Sequence, residues 1–258
     1  MAVPAGRASG QRFTGLSILV TGAAGEIGSA VAGALVAEGA RVTLADLDAT
    51  VLTQLADELG SAAHAVPTDV TVEEDVERAV AEAVAFAGGL HGVFNNAGIE
   101  GPVGPITELD LDRFAQVLRI NVLGAAAVLK HSLPRLDAGG AVVQTGSTAS
   151  VAGSAHMAPY VASKHALLGL TRVASREVAA RGVRVTAVLP GPVHGRMMQR
   201  IESGRSGSGT ATATTPTALD GGRYATVAEV VSAVLFLLSG EAGFVAGTGL
   251  LMDGGRLA

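Results

Sequence analysis

The chain contains no cysteine among its 258 residues. That removes disulfides and thiolate catalysis, and it is compatible with a reducing, cytoplasmic setting. Charge is also scarce: 16% of residues are Asp, Glu, Lys or Arg, and the formal net charge is −5. Proteins that grip a phosphate backbone carry clustered Lys and Arg, so nucleic acid is not an expected partner. No Cys/His cluster has metal-ligand spacing, and no metal is expected. There is no run of about 20 apolar residues that would span a bilayer. The mean hydropathy of +0.43 comes largely from Ala and Val, and the charge-free stretch 138–163 is broken throughout by Gly, Ser and Thr. A membrane is therefore not an expected partner either. Residues 1–15 include Arg7 and Arg12 but lack the apolar core of a signal peptide. They read as a flexible N-terminal leader.

What is present is a large apolar fraction, 48%, in a chain of normal length for one α/β domain. At this size a fold buries about three-quarters of the surface of the unfolded chain. Apolar runs at 16–21, 41–46, 63–66, 92–95, 141–145, 183–189 and 249–252 read as strands. Helical patterns fall at 27–38, 50–59, 111–129, 160–180 and 227–239, and Val72, Val76, Val80 and Val84 mark another by their four-residue spacing. Strands alternating with helices predict βαβ units and one doubly wound α/β domain over 16–258. The segment 203–222 breaks this rhythm; dense in Gly, Ser, Thr and Ala, it reads as a surface loop.

Tyr160 and Lys164, in YVASK, stand four apart on a predicted helix and so share a face. A free phenol has a pKa of about 10, and a neighbouring cation lowers it. Bringing it to about 7 requires roughly 4 kcal/mol of differential stabilisation. The stretch TGAAGEIG at 21–28 lies between a strand and a helix. Its glycines allow close backbone approach, and the helix N-terminus offers free N–H groups to a pyrophosphate. Asp46 ends the second predicted strand, 18 residues after Gly28. An acid there accepts from both ribose hydroxyls of an adenosine and repels a 2′-phosphate. At about 4 Å and an effective dielectric of about 20, that repulsion is on the order of 4 kcal/mol per charge pair. No Arg or Lys between positions 21 and 40 offsets it, so the expected cofactor is NAD.

The glycine turn, NNAG at 95–98, Asn121, Ser147, the YVASK stretch and PGPV at 190–193 occur in an order that resembles the classical short-chain dehydrogenase/reductase family. The resemblance runs from about residue 12 to 256, nearly the whole chain. It implies a single-domain doubly wound Rossmann fold, with a parallel sheet of about seven strands and helices on both faces. It implies Asn121, Ser147, Tyr160 and Lys164 as the catalytic set. Tyr160 would be the general acid/base, Ser147 would hold the substrate oxygen, and Lys164 would lower the phenol's pKa and hold the nicotinamide ribose. Asn121 would shape a helix whose carbonyl holds a relay water. Cofactor contacts are implied for Gly22, Gly25, Glu26, Ile27, Gly28, Asp46, Leu47, Asp69, Val70, Asn96, Ala97, Gly98, Tyr160, Lys164, Pro190, Gly191 and Val193. Substrate walls are implied for Ile99, Ser147, Thr148, Ala149, Met157, Met197 and Met198, with His156 and His194 near the mouth. A lid over about 195–222 and a homotetramer follow from the same resemblance.

Two positions depart from the family pattern. Glu26 stands where a glycine belongs, and its carboxylate is expected to point to solvent. Gly195 stands where the family often has Thr. The implied function is NAD-dependent interconversion of a secondary alcohol and a ketone, a small-molecule substrate. The alternatives are a 3-oxoacyl-[acyl-carrier-protein] reductase and a non-catalytic NAD-binding sensor or scaffold.

Overall fold

The computed structural model describes residues 11–207, residue 219 and residues 222–258. Seven strands form one parallel sheet in the order β3-β2-β1-β4-β5-β6-β7. They are β1 Ser17–Thr21, β2 Arg41–Asp46, β3 Ala63–Pro67, β4 Leu90–Asn95, β5 Leu136–Thr145, β6 Arg184–Pro190 and β7 Gly249–Met252. A parallel sheet covered on both faces needs strands that are apolar throughout. Accordingly every residue of β1 and β6 is buried. The strand order reverses between β1 and β4, and a crevice opens there at the carboxyl ends of the strands.

One face is covered by α1 Glu26–Ala37, α2 Ala49–Leu59 and α8 Val227–Leu238, whose Val31, Leu35, Leu52, Val234 and Leu235 join a single core. The other carries α3 Glu73–Ala87, α5 Ala125–Ser132 and α6 Ala158–Val178, through Val76, Val80, Val128, Leu129 and Val178. Of the valine stripe, Val76 and Val80 are core, while Val72 precedes α3 and is exposed. Local signals set the helix ends. Gly88 takes the left-handed conformation after α3, at φ 77°. Thr226 and Glu229 form a reciprocal capping box at the start of α8.

Three features depart from the sequence expectations. The helix expected over 111–129 is interrupted: α4 Leu111–Leu118 passes into a π-turn, Arg119–Gly124, before α5. Single π-turns inside helices mark places where a side chain must be re-aimed. The leader ends earlier than residue 15. Phe13 is fully buried against the sheet, and Arg12 donates to Glu38 at 2.6 Å. Burying a phenyl ring outweighs the freedom of a short segment. The loop expected over 203–222 begins later, because α7 Arg196–Gly207 runs into it. The remainder of that lid region, 208–218 and 220–221, lies outside the described residues, as do residues 1–10.

Arg184, at the start of β6, is a charged residue in the core. Its guanidinium donates to the carbonyls of Leu237 at 2.8 Å and Ser239 at 2.8 Å. It thus satisfies the last carbonyls of α8, where the helix dipole favours a cation. Burial lowers its pKa.

Candidate active site

The crevice at the strand-order reversal is a cleft of about 600 Å³, within the usual range for small-molecule sites. Its floor is built from the segments that leave the strands. Gly22, Gly25, Glu26 and Ile27 line it after β1, Asp46 and Leu47 at the end of β2, and Asp69 and Val70 after β3. Asn96, Ala97, Gly98 and Ile99 follow β4; Ser147, Thr148 and Ala149 follow β5. Met157, Tyr160 and Lys164 come from the start of α6, Pro190, Gly191 and Val193 from the end of β6, and Met197 and Met198 from α7. Gly28 and Asn121 do not line the cleft. Both are buried behind it, supporting residues that do.

The glycine turn is tight for reasons visible atom by atom. Gly22 has φ +65°, and a methyl carbon on it would lie 2.9 Å from Ala97 and from the Asn96 amide. A methyl carbon on Gly28 would lie 2.1 Å from the Gly22 carbonyl oxygen. The backbone of β1 therefore meets the segment after β4 with no room for a side chain, and the first turn of α1 is left open to the cleft. Asn96 holds that meeting: its amide donates to Gly22 O at 3.2 Å and accepts from Thr145 Oγ1 at 2.9 Å.

Asp46 is held at the lip by the amides of Ala24, at 3.0 Å to Oδ2, and Asp48, at 3.3 Å to Oδ1. Each carboxylate oxygen retains a lone pair for a further donor. A glycine cradle, an open helix start and an acid at the second strand end together fit the diphosphate and adenosine ribose of a nicotinamide dinucleotide.

Asn121 sits in the π-turn and makes three hydrogen bonds. It accepts from Ile99 N at 2.8 Å, donates to Ile99 O at 2.8 Å, and donates to Ser163 Oγ at 3.0 Å. It so ties the segment after β4 to α6. Ser163 Oγ in turn donates to Tyr160 O at 2.7 Å. Helix α6 starts with Pro159 in its first turn, where the missing N–H leaves no orphan. Tyr160 and Lys164 lie one turn apart, with Nζ 5.5 Å from the centre of the phenol ring.

The electrostatics differ from the sequence expectation. Burial pushes the Tyr160 phenol up to about 12, opposed by a hydrogen bond from Ser147 and reinforced by the charge of Glu100. The Lys164 ammonium points instead at the Thr145 carbonyl, 2.6 Å away, and burial lowers its pKa to about 8. In the protein alone, desolvation dominates, and Tyr160 is a protonated donor at neutral pH.

Glu26, expected to face solvent, is exposed, and it also accepts from Arg196 N of α7 at 3.0 Å. His156 lies outside the cleft wall; it adopts φ +66°, and its carbonyl accepts from Gly104 N. His194 lines the cleft. Sequence reasoning missed Arg196, Arg200, Ile201, Arg256 and Leu257, which also line it. The four-residue spacing of the two α7 arginines was a readable signal. The C-terminal pair reaches the cleft only through the sheet's tertiary path.

A doubly wound crevice with an adenosine-side acid, and with Ser, Tyr and Lys converging beside it, defines a nicotinamide-dependent oxidoreductase. Known proteins agree. The family described as enoyl-(acyl carrier protein) reductase matches residues 22–256. A 2,5-dichloro-2,5-cyclohexadiene-1,4-diol dehydrogenase of Sphingobium indicum is 38% identical over 95% of this chain and 98% of its own. A 2-(S)-hydroxypropyl-CoM dehydrogenase of Xanthobacter autotrophicus is 36% identical over 93% and 96%. The crystal structure of NAD+-bound xylitol dehydrogenase superposes with a TM-score of 0.89 at 32% identity, covering 95% of this chain and all of that one. The chain belongs to the short-chain dehydrogenase/reductase family. Among the described residues no helix is long and apolar enough to cross a membrane.

The lowered pKa of Lys164 sets a pH dependence. Between its folded value of about 8 and its ordinary 10.5, the unfolded chain binds the extra proton, so stability rises with pH across that window. Tyr160 acts oppositely, but only above its ordinary value of 10. Thermal melts of the cofactor-free protein at pH 8 and pH 10, compared with Lys164→Met, should show a rise in the parent that the variant lacks. Parallel pH curves for the two would refute the buried, deprotonating lysine.

Proposed function

We propose that the protein is a NAD-dependent dehydrogenase that interconverts a secondary alcohol and a ketone, with a largely apolar substrate. The convergence of Ser147, Tyr160 and Lys164 on one cleft, with Lys164 Nζ 5.5 Å from the centre of the phenol ring, carries this reading. When bound, the nicotinamide supplies hydride exchange. The chain's own residues do the rest. Ser147 and Tyr160 hold the substrate oxygen between two hydroxyls, stabilising charge that develops on it. In the reductive direction Tyr160, protonated at neutral pH, delivers its proton to that oxygen; in the oxidative direction the phenol must first release its own proton before it can accept the alcohol's. Lys164, which donates to the Thr145 carbonyl, would hold the ribose hydroxyls of the bound cofactor, and Asn121 keeps Ile99 and α6 in register behind them. Met157, Met197, Met198 and Ile99 supply adaptable apolar walls, suited to a substrate with little charge.

NAD is the favoured dinucleotide because Asp46 presents a fixed carboxylate where a 2′-phosphate would lie. The NAD+ named in the xylitol dehydrogenase structure supports this choice. The acyl-carrier-protein reductase reading has the description of the matched family in its favour, and a preference for NADP would be its signature. A homotetramer is supported by Leu111 of α4, Leu123 of the π-turn and Val173 of α6, all apolar and exposed on the surface of the single chain.

Three measurements test these statements. Tyr160→Phe should lower kcat at least about 100-fold, the lower range for general acid–base catalysis, with NADH binding nearly intact; retention of more than about a tenth of the activity would remove Tyr160 from its role. Asp46→Ala should raise KM for NAD and narrow the gap to NADP, and a parent enzyme that prefers NADP would defeat the assignment outright. Sedimentation at micromolar concentration should give four copies, whereas a monomer would end the tetramer proposal.

A further inference from the structure

Glu26 and Gly195 are both unusual for this family, and the structure places them against each other. Arg196 begins α7, and its N–H is one of the orphan donors of a helix start. It donates to Glu26 Oε2 at 3.0 Å, from the first residue of α1 across the cleft mouth. The Arg196 guanidinium lies 3.4 Å from Glu26 Oε1. Gly195 immediately precedes the helix, and its carbonyl accepts the first-turn bond from Gln199 N at 3.1 Å. A methyl carbon at 195 would lie 2.2 Å from Glu26 Oε2 and 3.2 Å from the carboxyl carbon. The carboxylate therefore fills the space that a side chain at 195 would occupy. It supplies, from another segment, the acceptor that a capping side chain normally supplies.

We infer that Glu26 and Gly195 form one unit, in which Glu26 is a positioning residue that ties α7 to the glycine turn and so sets the substrate wall. The inference rests on the oxidoreductase reading only for its effect on substrate. Helix α7 carries Met197, Met198 and Ile201 into the cleft. A second tie, one turn further on, fixes the same helix: Arg200 pairs with Glu100, with Nη2 to Oε2 at 3.3 Å. The helix is thus held from both walls, by an acid of the cofactor turn and by an acid next to Ile99. The Glu26 and Arg196 side chains are 39% and 65% exposed, so their charge attraction is weak. The hydrogen bond to the Arg196 amide is the contact that matters, and it needs an acceptor rather than a charge. It also needs glycine at 195, since any Cβ there swings the carboxylate away.

Amide hydrogen exchange across residues 196–204 in the cofactor-free protein tests the tie without reference to catalysis. Gly195→Ala and Glu26→Ala lose the same bond. Each should speed exchange by about threefold or more, and the double variant should exchange no faster than either, because coupled sites are not additive. Glu26→Gln keeps an acceptor and should exchange like the parent. With an alcohol substrate, both alanine variants should raise KM for the alcohol by a larger factor than they lower kcat, and Glu26→Gln should keep the parent's KM, the pattern of lost ground-state positioning. Unchanged exchange in the single variants, multiplied effects in the double, or Glu26→Gln behaving like Glu26→Ala would each overturn the inference. Absence of activity on any alcohol, with the exchange pattern as stated, would defeat the oxidoreductase reading and leave the tie standing.

Discussion

The arrangement of the cleft depends on one half-buried polar junction where the strand order reverses. Asn96 donates to the carbonyl of Gly22 and accepts from the hydroxyl of Thr145. Thr145 then offers its own carbonyl to Lys164. The glycine turn, the middle of the sheet and the lysine of α6 are thereby joined through a single side chain. The Asn96 side chain is half-buried, and each bond it makes favours the spacing at which the three segments meet. One layer deeper, Asn95 bonds to Gln144 at 3.3 Å and to the Ala125 carbonyl at 3.0 Å, and Gln144 donates to Thr171 at 2.7 Å. The polar groups under the cleft form a lattice between strands and helices, with the apolar cores on either side of it.

That lattice explains why Lys164 does not simply activate Tyr160. An ammonium in a site with little water must satisfy its donors, and the Thr145 carbonyl is the nearest acceptor. The phenol, also desolvated, then keeps its proton. Burial thus keeps the phenol neutral and lowers the ammonium's pKa to about 8, and a ligand that brings charge into the cleft acts on both groups.

The strands, their parallel arrangement and most helix positions were legible because a doubly wound sheet imposes long apolar runs, and these survive in any reading of hydrophobic period. The site residues were legible as spacings: glycines before a helix, an acid after a strand, a phenol and an amine four apart. What escaped was whatever depends on two distant segments meeting. The π-turn at Asn121 leaves no mark on a helical pattern, since one extra residue in a turn looks like helix on either side. Phe13 looked like leader because nothing nearby in sequence reveals the pocket that receives it. The raised Tyr160 pKa of the cofactor-free protein could not be read from the sequence, because neighbour charge is visible in a spacing and desolvation is not. Glu26 and Gly195 each read as a defect, and only their contact shows that they answer each other.

The π-turn has a consequence for how this stretch tolerates change. Each residue advances a helix by about 100 degrees, so the additional residue rotates everything after it relative to everything before. The stretch before the turn faces α6 and the stretch after it faces α3, and Asn121 falls at the change of phase. Trimming one residue here would yield a smoother, better-bonded rod whose two halves no longer fit their neighbours. Regularity and usefulness are opposed at this point of the chain, and selection for fold stability alone would erode the site.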